Sequence, residues 1–113
     1  MIEGSVTRTD LYLQEPIYPL TSGCRNSVFL HLHFSRHWDA YGERWAEFFG
    51  RGGERHRIRV SEEGIATFPE EILARGGRIF LSVIGEDKTD GSRVVTEKAS
   101  LYVTGGDYSG EEG

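Results

Sequence analysis

The sequence predicts an all-β fold, an antiparallel sandwich of about seven strands with one short helix. Three observations lead to this prediction. Short stretches in which apolar and polar residues alternate recur along the whole chain. Clusters of turn-forming residues separate these stretches, and the 113-residue chain contains 15 glycines against only 3 prolines. A chain of this length forms one ordinary domain that buries a core without disulfides.

The chain divides into three predicted segments. Residues 1–8 mix small and polar side chains, which predicts a flexible N-terminal arm. Residues 9–104 carry the alternating stretches and form the predicted sandwich. Residues 105–113 (GGDYSGEEG) are acidic and rich in glycine, which predicts a flexible tail.

The strongest strand signal lies at residues 27–34 (SVFLHLHF). Leu30, Leu32 and Phe34 fall on one side of an extended chain, while His31 and His33 fall on the other, so one face of this strand is predicted to be buried. The other predicted strands lie at residues 9–13, 44–49, 55–61, 65–68, 78–84 and 93–103.

A single helix is predicted at residues 69–77. Pro69 stands at a first-turn position, two glutamates follow it, and Gly76 can end the helix in a left-handed conformation. The helix has barely two turns, so packing of its apolar side chains must stabilise it. The predicted structural core combines this helix with the strands and consists of Leu30, Leu32, Phe34, Trp38, Phe48, Ile72 and Leu73.

Composition argues against several functional classes. The net charge of −5 disfavours nucleic acid or an anionic membrane as the main partner. No apolar run approaches the ~18 residues of a membrane span, so we predict a soluble protein made in the cytoplasm.

Cys24 is the only cysteine, and it is predicted to be a small buried residue rather than a catalytic thiol. No Ser-His-Asp order, phosphate-binding loop or paired carboxylates stand out, and we predict no enzyme and no catalytic residues.

The histidines are a candidate for metal binding. His31 and His33 project from one face of a strand and could hold a metal ion if His37, Asp39 or His56 supplied a third ligand. Their spacing resembles the His-x-His of cupin barrels, but those proteins place a glutamate a few residues downstream, where this chain has Ser-Arg-His. We therefore predict no metal site and no cofactor, and keep a cupin-like metal-binding protein as an alternative.

The arginines form a second pattern. Arg55, Arg57 and Arg59 share one side of a strand, where a basic stripe could meet phosphate or carboxylate groups. Such stripes more commonly protect an exposed sheet face from pairing with other strands. Because no aromatic platform interleaves with the arginines, the pattern does not indicate single-stranded nucleic acid.

Several stretches together are similar to a known family. The residues concerned are 12–20 (YLQEPIYPL) with Ser22-Gly23-Cys24, the set Phe34, Trp38, Tyr41, Ala46 and Phe48, then 68–73 (FPEEIL), 93–96 (RVVT) and 101–108 (LYVTGGDY). Their order and spacing resemble the amino-terminal domain of phage baseplate upper proteins and its relatives in tailed phages of Gram-positive bacteria. The resemblance covers residues 11–108.

This resemblance implies an immunoglobulin-like β-sandwich that acts as a non-catalytic structural or attachment module of a virion, in the baseplate or tail. It implies that the domain is made in the bacterial cytoplasm and binds other phage structural proteins, within a symmetric homo-oligomer such as a trimer. Contact residues are then expected among exposed aromatic and arginine side chains. These are Phe29, Trp45, Phe49, Arg55, Arg57 and Arg59. A carbohydrate-binding module that uses Trp45 and Tyr102 is a further alternative.

Overall fold

The computed structural model describes residues 2–14, 20–21, 28–50, 52–75 and 77–104. Within these residues the chain forms ten strands, a 3₁₀ turn at Arg36–Trp38 and a helix, α1, at Glu70–Arg75. No helix in this part of the chain is long and apolar enough to cross a membrane. The strands are β1 Ile2–Val6, β2 Leu11–Leu13, β3 Leu20–Thr21, β4 Phe29–Phe34, β5 Glu43–Phe49, β6 Arg55–Arg59, β7 Ile65–Thr67, β8 Gly77–Glu86, β9 Arg93–Val95 and β10 Ala99–Thr104.

The strands form two sheets, which confirms the predicted all-β sandwich. The four-stranded sheet has the order β2-β1-β4-β7, and the six-stranded sheet has the order β3-β10-β8-β5-β6, with β9 also paired to β8. Most neighbours are antiparallel, but β1 runs parallel to β4 and β3 runs parallel to β10. The first of these parallel pairs positions the histidine side chains discussed below.

The core lies between the inward faces of the two sheets. From the four-stranded sheet Leu30 and Leu32 point inward, and from the six-stranded sheet Phe48 and Leu81 meet them. Of the predicted core residues, Phe34 is only half-buried and packs against the core edge, while the side chain of Leu73 lies outside the described part of the chain. The remaining ones are fully buried: Leu30, Leu32, Trp38, Phe48 and Ile72.

The prediction of a flexible arm is wrong for residues 2–6. These residues form β1, which is hydrogen-bonded between β2 and β4, and Ile2 and Val6 are buried in the core. The inward position between them is Gly4, where a Cβ would lie 3.0 Å from side-chain atoms of Leu13 and Leu32. Two apolar residues around a glycine make too weak an alternation to predict a strand, and the partner β4 is far along the chain. The predicted tail at residues 105–113 lies outside the described residues.

The predicted strand at residues 93–103 is divided into β9 and β10. Between them Thr96 is buried, its hydroxyl accepts a hydrogen bond from the Val83 amide at 2.9 Å, and its own amide donates to the Val83 carbonyl at 2.9 Å. The threonine side chain thus replaces a partner strand at this point of β8. This division, together with β1 and the two-residue β3, accounts for ten strands where about seven are predicted from the sequence.

The 3₁₀ turn after β4 seals one end of the core. Trp38 is 1% exposed, its indole N–H donates to the carbonyl of Thr7, and its ring contacts those of Phe34 and Tyr41 at centroid distances of 5.2 and 5.7 Å. The ring lies against the backbone of Gly85 on β8, where a Cβ would be 2.5 Å from it. Trp38, a predicted core residue, therefore packs inward.

Candidate functional site

The outer side of the six-stranded sheet carries exposed apolar side chains, and we call it the aromatic face. It comprises Trp45 and Phe49 on β5, Phe80 on β8, Val95 on β9 and Tyr102 on β10, whose positions in the strand pairings place them on the side opposite the core. Phe80, Val95 and Tyr102 are 42%, 48% and 57% exposed. Among the described residues only Tyr12, on the other sheet, is a further exposed large apolar side chain.

Ion pairs cover one side of the aromatic face. The Arg55 and Arg57 guanidinium groups lie 3.6 and 3.7 Å from the carboxylate of Glu47, which is buried between them, and Arg59 lies 3.5 Å from Glu43. The Lys88 ammonium group hydrogen-bonds Glu43 at 2.6 Å and lowers the pKa of that carboxyl, with a further contribution from Arg59. The three arginines of the predicted stripe are thus paired with carboxylates of their own sheet.

Two of these arginines, together with Lys98, lie over aromatic rings of the face. Arg59 lies 5.6 Å from the ring centre of Trp45, while Arg55 and Lys98 lie 5.8 and 4.3 Å from that of Phe49. Trp45 and Phe49 are half-buried as a result. The more exposed apolar side chains of the face are instead Phe80, Val95 and Tyr102.

The structure brings together five of the six predicted contact residues. Trp45, Phe49 and the three arginines share the aromatic face, whereas Phe29 lies on β4 of the four-stranded sheet. Phe80 was missed because residues 78–84 form an almost continuous apolar run, in which alternation does not mark the outward positions. Pairing with β10, which places Phe80 opposite Ser100, reveals its outward direction.

A second group of side chains, which we call the histidine cluster, consists of Glu3, His31 and His33 on the outer side of the four-stranded sheet. Glu3 lies opposite His31 in the parallel pairing of β1 with β4, and His33 follows two residues later on the same side. One Glu3 carboxylate oxygen, Oε1, is 2.6 Å from His33 Nε2 and 3.3 Å from His31 Nδ1. The two imidazole rings have centroids 4.2 Å apart.

The third member of this cluster, Glu3, is not one of the residues that were considered from the sequence as a third metal ligand. His37 lies in the 3₁₀ turn, where its Nδ1 is 3.3 Å from the Ser35 hydroxyl, and His56 lies on β6 of the other sheet. Glu3 takes the position instead, because β1 pairs with β4. Sequence reasoning missed Glu3 because residues 1–8 were predicted to form an arm.

We expect the cluster to be visible in the titration of Glu3. The hydrogen bond from His33 holds the pKa of the Glu3 carboxyl below its usual value of 4.5, and the His31 side chain lowers it further. The interaction therefore stabilises the fold above the usual pKa and is lost as pH falls through the lowered one. In carboxyl-detected NMR titrations the Glu3 midpoint should lie below 4.5 and rise in His33→Ala, but not in His37→Ala. A wild-type midpoint at or above 4.5 would contradict this geometry.

No protein-family model, curated protein or solved structure matches this chain. The fold and its surfaces define a class, a small β-sandwich whose six-stranded sheet exposes aromatic side chains beside paired charges. Cys24, predicted to be a buried non-catalytic residue, lies outside the described part of the chain.

Proposed function

We propose that this chain is a non-catalytic structural and attachment module of a phage particle, placed in the baseplate or elsewhere in the tail. The phage assignment rests on the resemblance of residues 11–108 to the amino-terminal domain of baseplate upper proteins. The observation that carries the contact role is the aromatic face, where Phe80, Val95 and Tyr102 are exposed on neighbouring strands of one sheet.

The aromatic face suits a protein–protein contact for physical reasons. Aromatic side chains supply much of the binding energy of interfaces, since they bury a large area and lose little conformational freedom. Phe80 and Tyr102 project from hydrogen-bonded strands, so their backbones need no ordering upon binding. The paired Glu47 and Arg57 beside them fit the polar rim that surrounds such contacts.

The proposed occupants of the face are neighbouring copies of this chain and other structural proteins of the particle. Fixed surfaces on a rigid sandwich suit the repeated contacts of a symmetric assembly, in which each copy makes the same interface. No catalytic step is required for this role.

Immunogold labelling tests the proposal directly. Antibodies against the purified domain are applied to intact phage particles and to gently disrupted ones, both released by the bacterium that encodes the chain. Label at a defined position on the tail would support the proposal. If the antibody recognises the denatured chain in the same lysate but labels neither intact nor disrupted particles, the phage role is wrong, and a screen for glycan binding by Tyr102 becomes the next step.

A double substitution tests whether the aromatic face makes the contact. The double variant Phe80→Ala/Tyr102→Ala should reduce incorporation into particles by at least about tenfold, because loss of contact anchors commonly costs 2 kcal/mol or more. The matched control is Tyr12→Ala, which removes a side chain that is 63% exposed on the other sheet. Incorporation is measured by quantitative blotting of purified particles. Equal incorporation of both variants would place the contact elsewhere, even if immunogold had located the domain on the tail.

A further inference from the structure

We infer that Glu3, His31 and His33 form a binding site for a divalent transition-metal ion such as Zn²⁺. One ligand atom from each residue lies within 4.8 Å of the other two. In a tetrahedral zinc site, metal–ligand distances of about 2.0–2.2 Å place the ligand atoms about 3.3–3.6 Å apart. The paired strands already place the three side chains side by side, close to this spacing.

The backbone of the site is held rigidly. Glu3 and the two histidines project from β1 and β4, which are paired in register from Ile2↔Leu30 to Val6↔Phe34. On the opposite side of the same strands Ile2 and Leu30 are buried in the core, so the backbone positions that carry the ligands cannot separate without unfolding the sheet. Sites built on strands in this way hold their ligands more precisely than loops do.

Charge also distinguishes Glu3 from Glu43 and Glu47, two carboxylates of the six-stranded sheet. Glu43 and Glu47 are neutralised by lysine or arginine side chains. Among the described residues, the ion-pair partners of Glu3 are the two imidazoles. Neutral imidazole is itself a metal ligand, so both partners can turn from hydrogen bonding to coordination while the carboxylate supplies negative charge.

The ligand set favours zinc and similar ions over magnesium and calcium. Two of the three donors are nitrogens, which suit Zn²⁺ and other borderline transition metals, whereas Mg²⁺ and Ca²⁺ prefer six or more oxygens. The side chains of Glu3, His31 and His33 are 41%, 29% and 58% exposed, so an ion reaches them from solvent. Three protein ligands leave a tetrahedral ion one position for water or for a ligand from a neighbouring chain.

The test is a titration of the tag-free, chelator-treated full chain with Zn²⁺ by calorimetry. We expect one Zn²⁺ per chain and unchanged binding in the presence of excess Mg²⁺ and Ca²⁺. His33→Ala and Glu3→Gln should each weaken binding by at least about tenfold, the smallest loss seen when even a supporting group of a metal site is removed. His37→Ala, which removes an exposed histidine outside the cluster, should bind like the unchanged chain.

A second measurement keeps the proposal falsifiable if a variant fails to fold. Zn²⁺ should shift the imidazole NMR signals of His31 and His33 in the unchanged chain, and leave those of His37 in place. Absence of binding at about 1 mM Zn²⁺, displacement by Mg²⁺, or equal binding by all variants would overturn the site. The histidine cluster and the aromatic face lie on different sheets, so this result and the virion labelling are decided separately.

Discussion

Replacing Trp38 with alanine should lower the free energy of unfolding by about 3–5 kcal/mol, the usual range for a large aromatic side chain removed from a core. Trp38 is fully buried, contacts the rings of Phe34 and Tyr41, and lies against Gly85. Its removal leaves a cavity and takes away the hydrogen bond to the Thr7 carbonyl. Urea denaturation followed by circular dichroism measures the effect.

Tyr102→Ala is the control for this measurement. Tyr102 is also aromatic, but it projects from the exposed aromatic face, so its removal should change the free energy of unfolding by only about 0.5 kcal/mol. A loss below about 1 kcal/mol for Trp38→Ala, or equal losses for both variants, would show that the 3₁₀ turn does not seal the core as described.

Gly64→Ala should lower the free energy of unfolding by about 3 kcal/mol. Gly64 has a φ of 88°, a backbone conformation that costs an L-residue about 1–2 kcal/mol. Its added Cβ would also overlap the carbonyl oxygen of Leu32. The overlapped atom is backbone in β4 and cannot rotate away, and overpacking of this kind typically costs about 1–3 kcal/mol more.

Gly53→Ala is the matched control, because the two positions have nearly the same positive φ and differ in their surroundings. Gly53 has a φ of 87°, and nothing lies within 4 Å of the position of its Cβ. The control should therefore show only the conformational cost of about 1–2 kcal/mol. Equal losses at both positions would contradict the close approach of the Gly64 turn to β4.

Sequence patterns were sufficient to predict a strand and its buried side where the strand is long and one of its faces is apolar. The alternation of Leu30, Leu32 and Phe34 predicted a strand with a buried side, and β4 has that form. The basic stripe from Arg55 to Arg59 was placed correctly on the outer side of a strand. Both predictions depend on the two-residue period of a strand alone, which is a local property.

Pairing between distant strands could not be predicted from the sequence. Glu3 was placed in a flexible arm because only Ile2 and Val6 mark β1 as a strand, and the parallel partner that stabilises it begins at Phe29. The third member of the histidine cluster was missed for the same reason. Phe80 was missed as a surface residue because residues 79–84 of its strand are apolar at every position except Ser82, so alternation does not mark the outward ones.

Local patterns in the sequence were enough to predict the class of fold, the buried side of β4 and the burial of Trp38. These follow from alternation, turn residues and the burial of apolar surface, which act between residues close in the chain. The contact of Glu3 with His31 and His33, and the common face of Phe80 and Tyr102, became apparent only in the folded chain. These contacts depend on which strands pair and in what register. A one-residue change in register would turn each side chain to the opposite face.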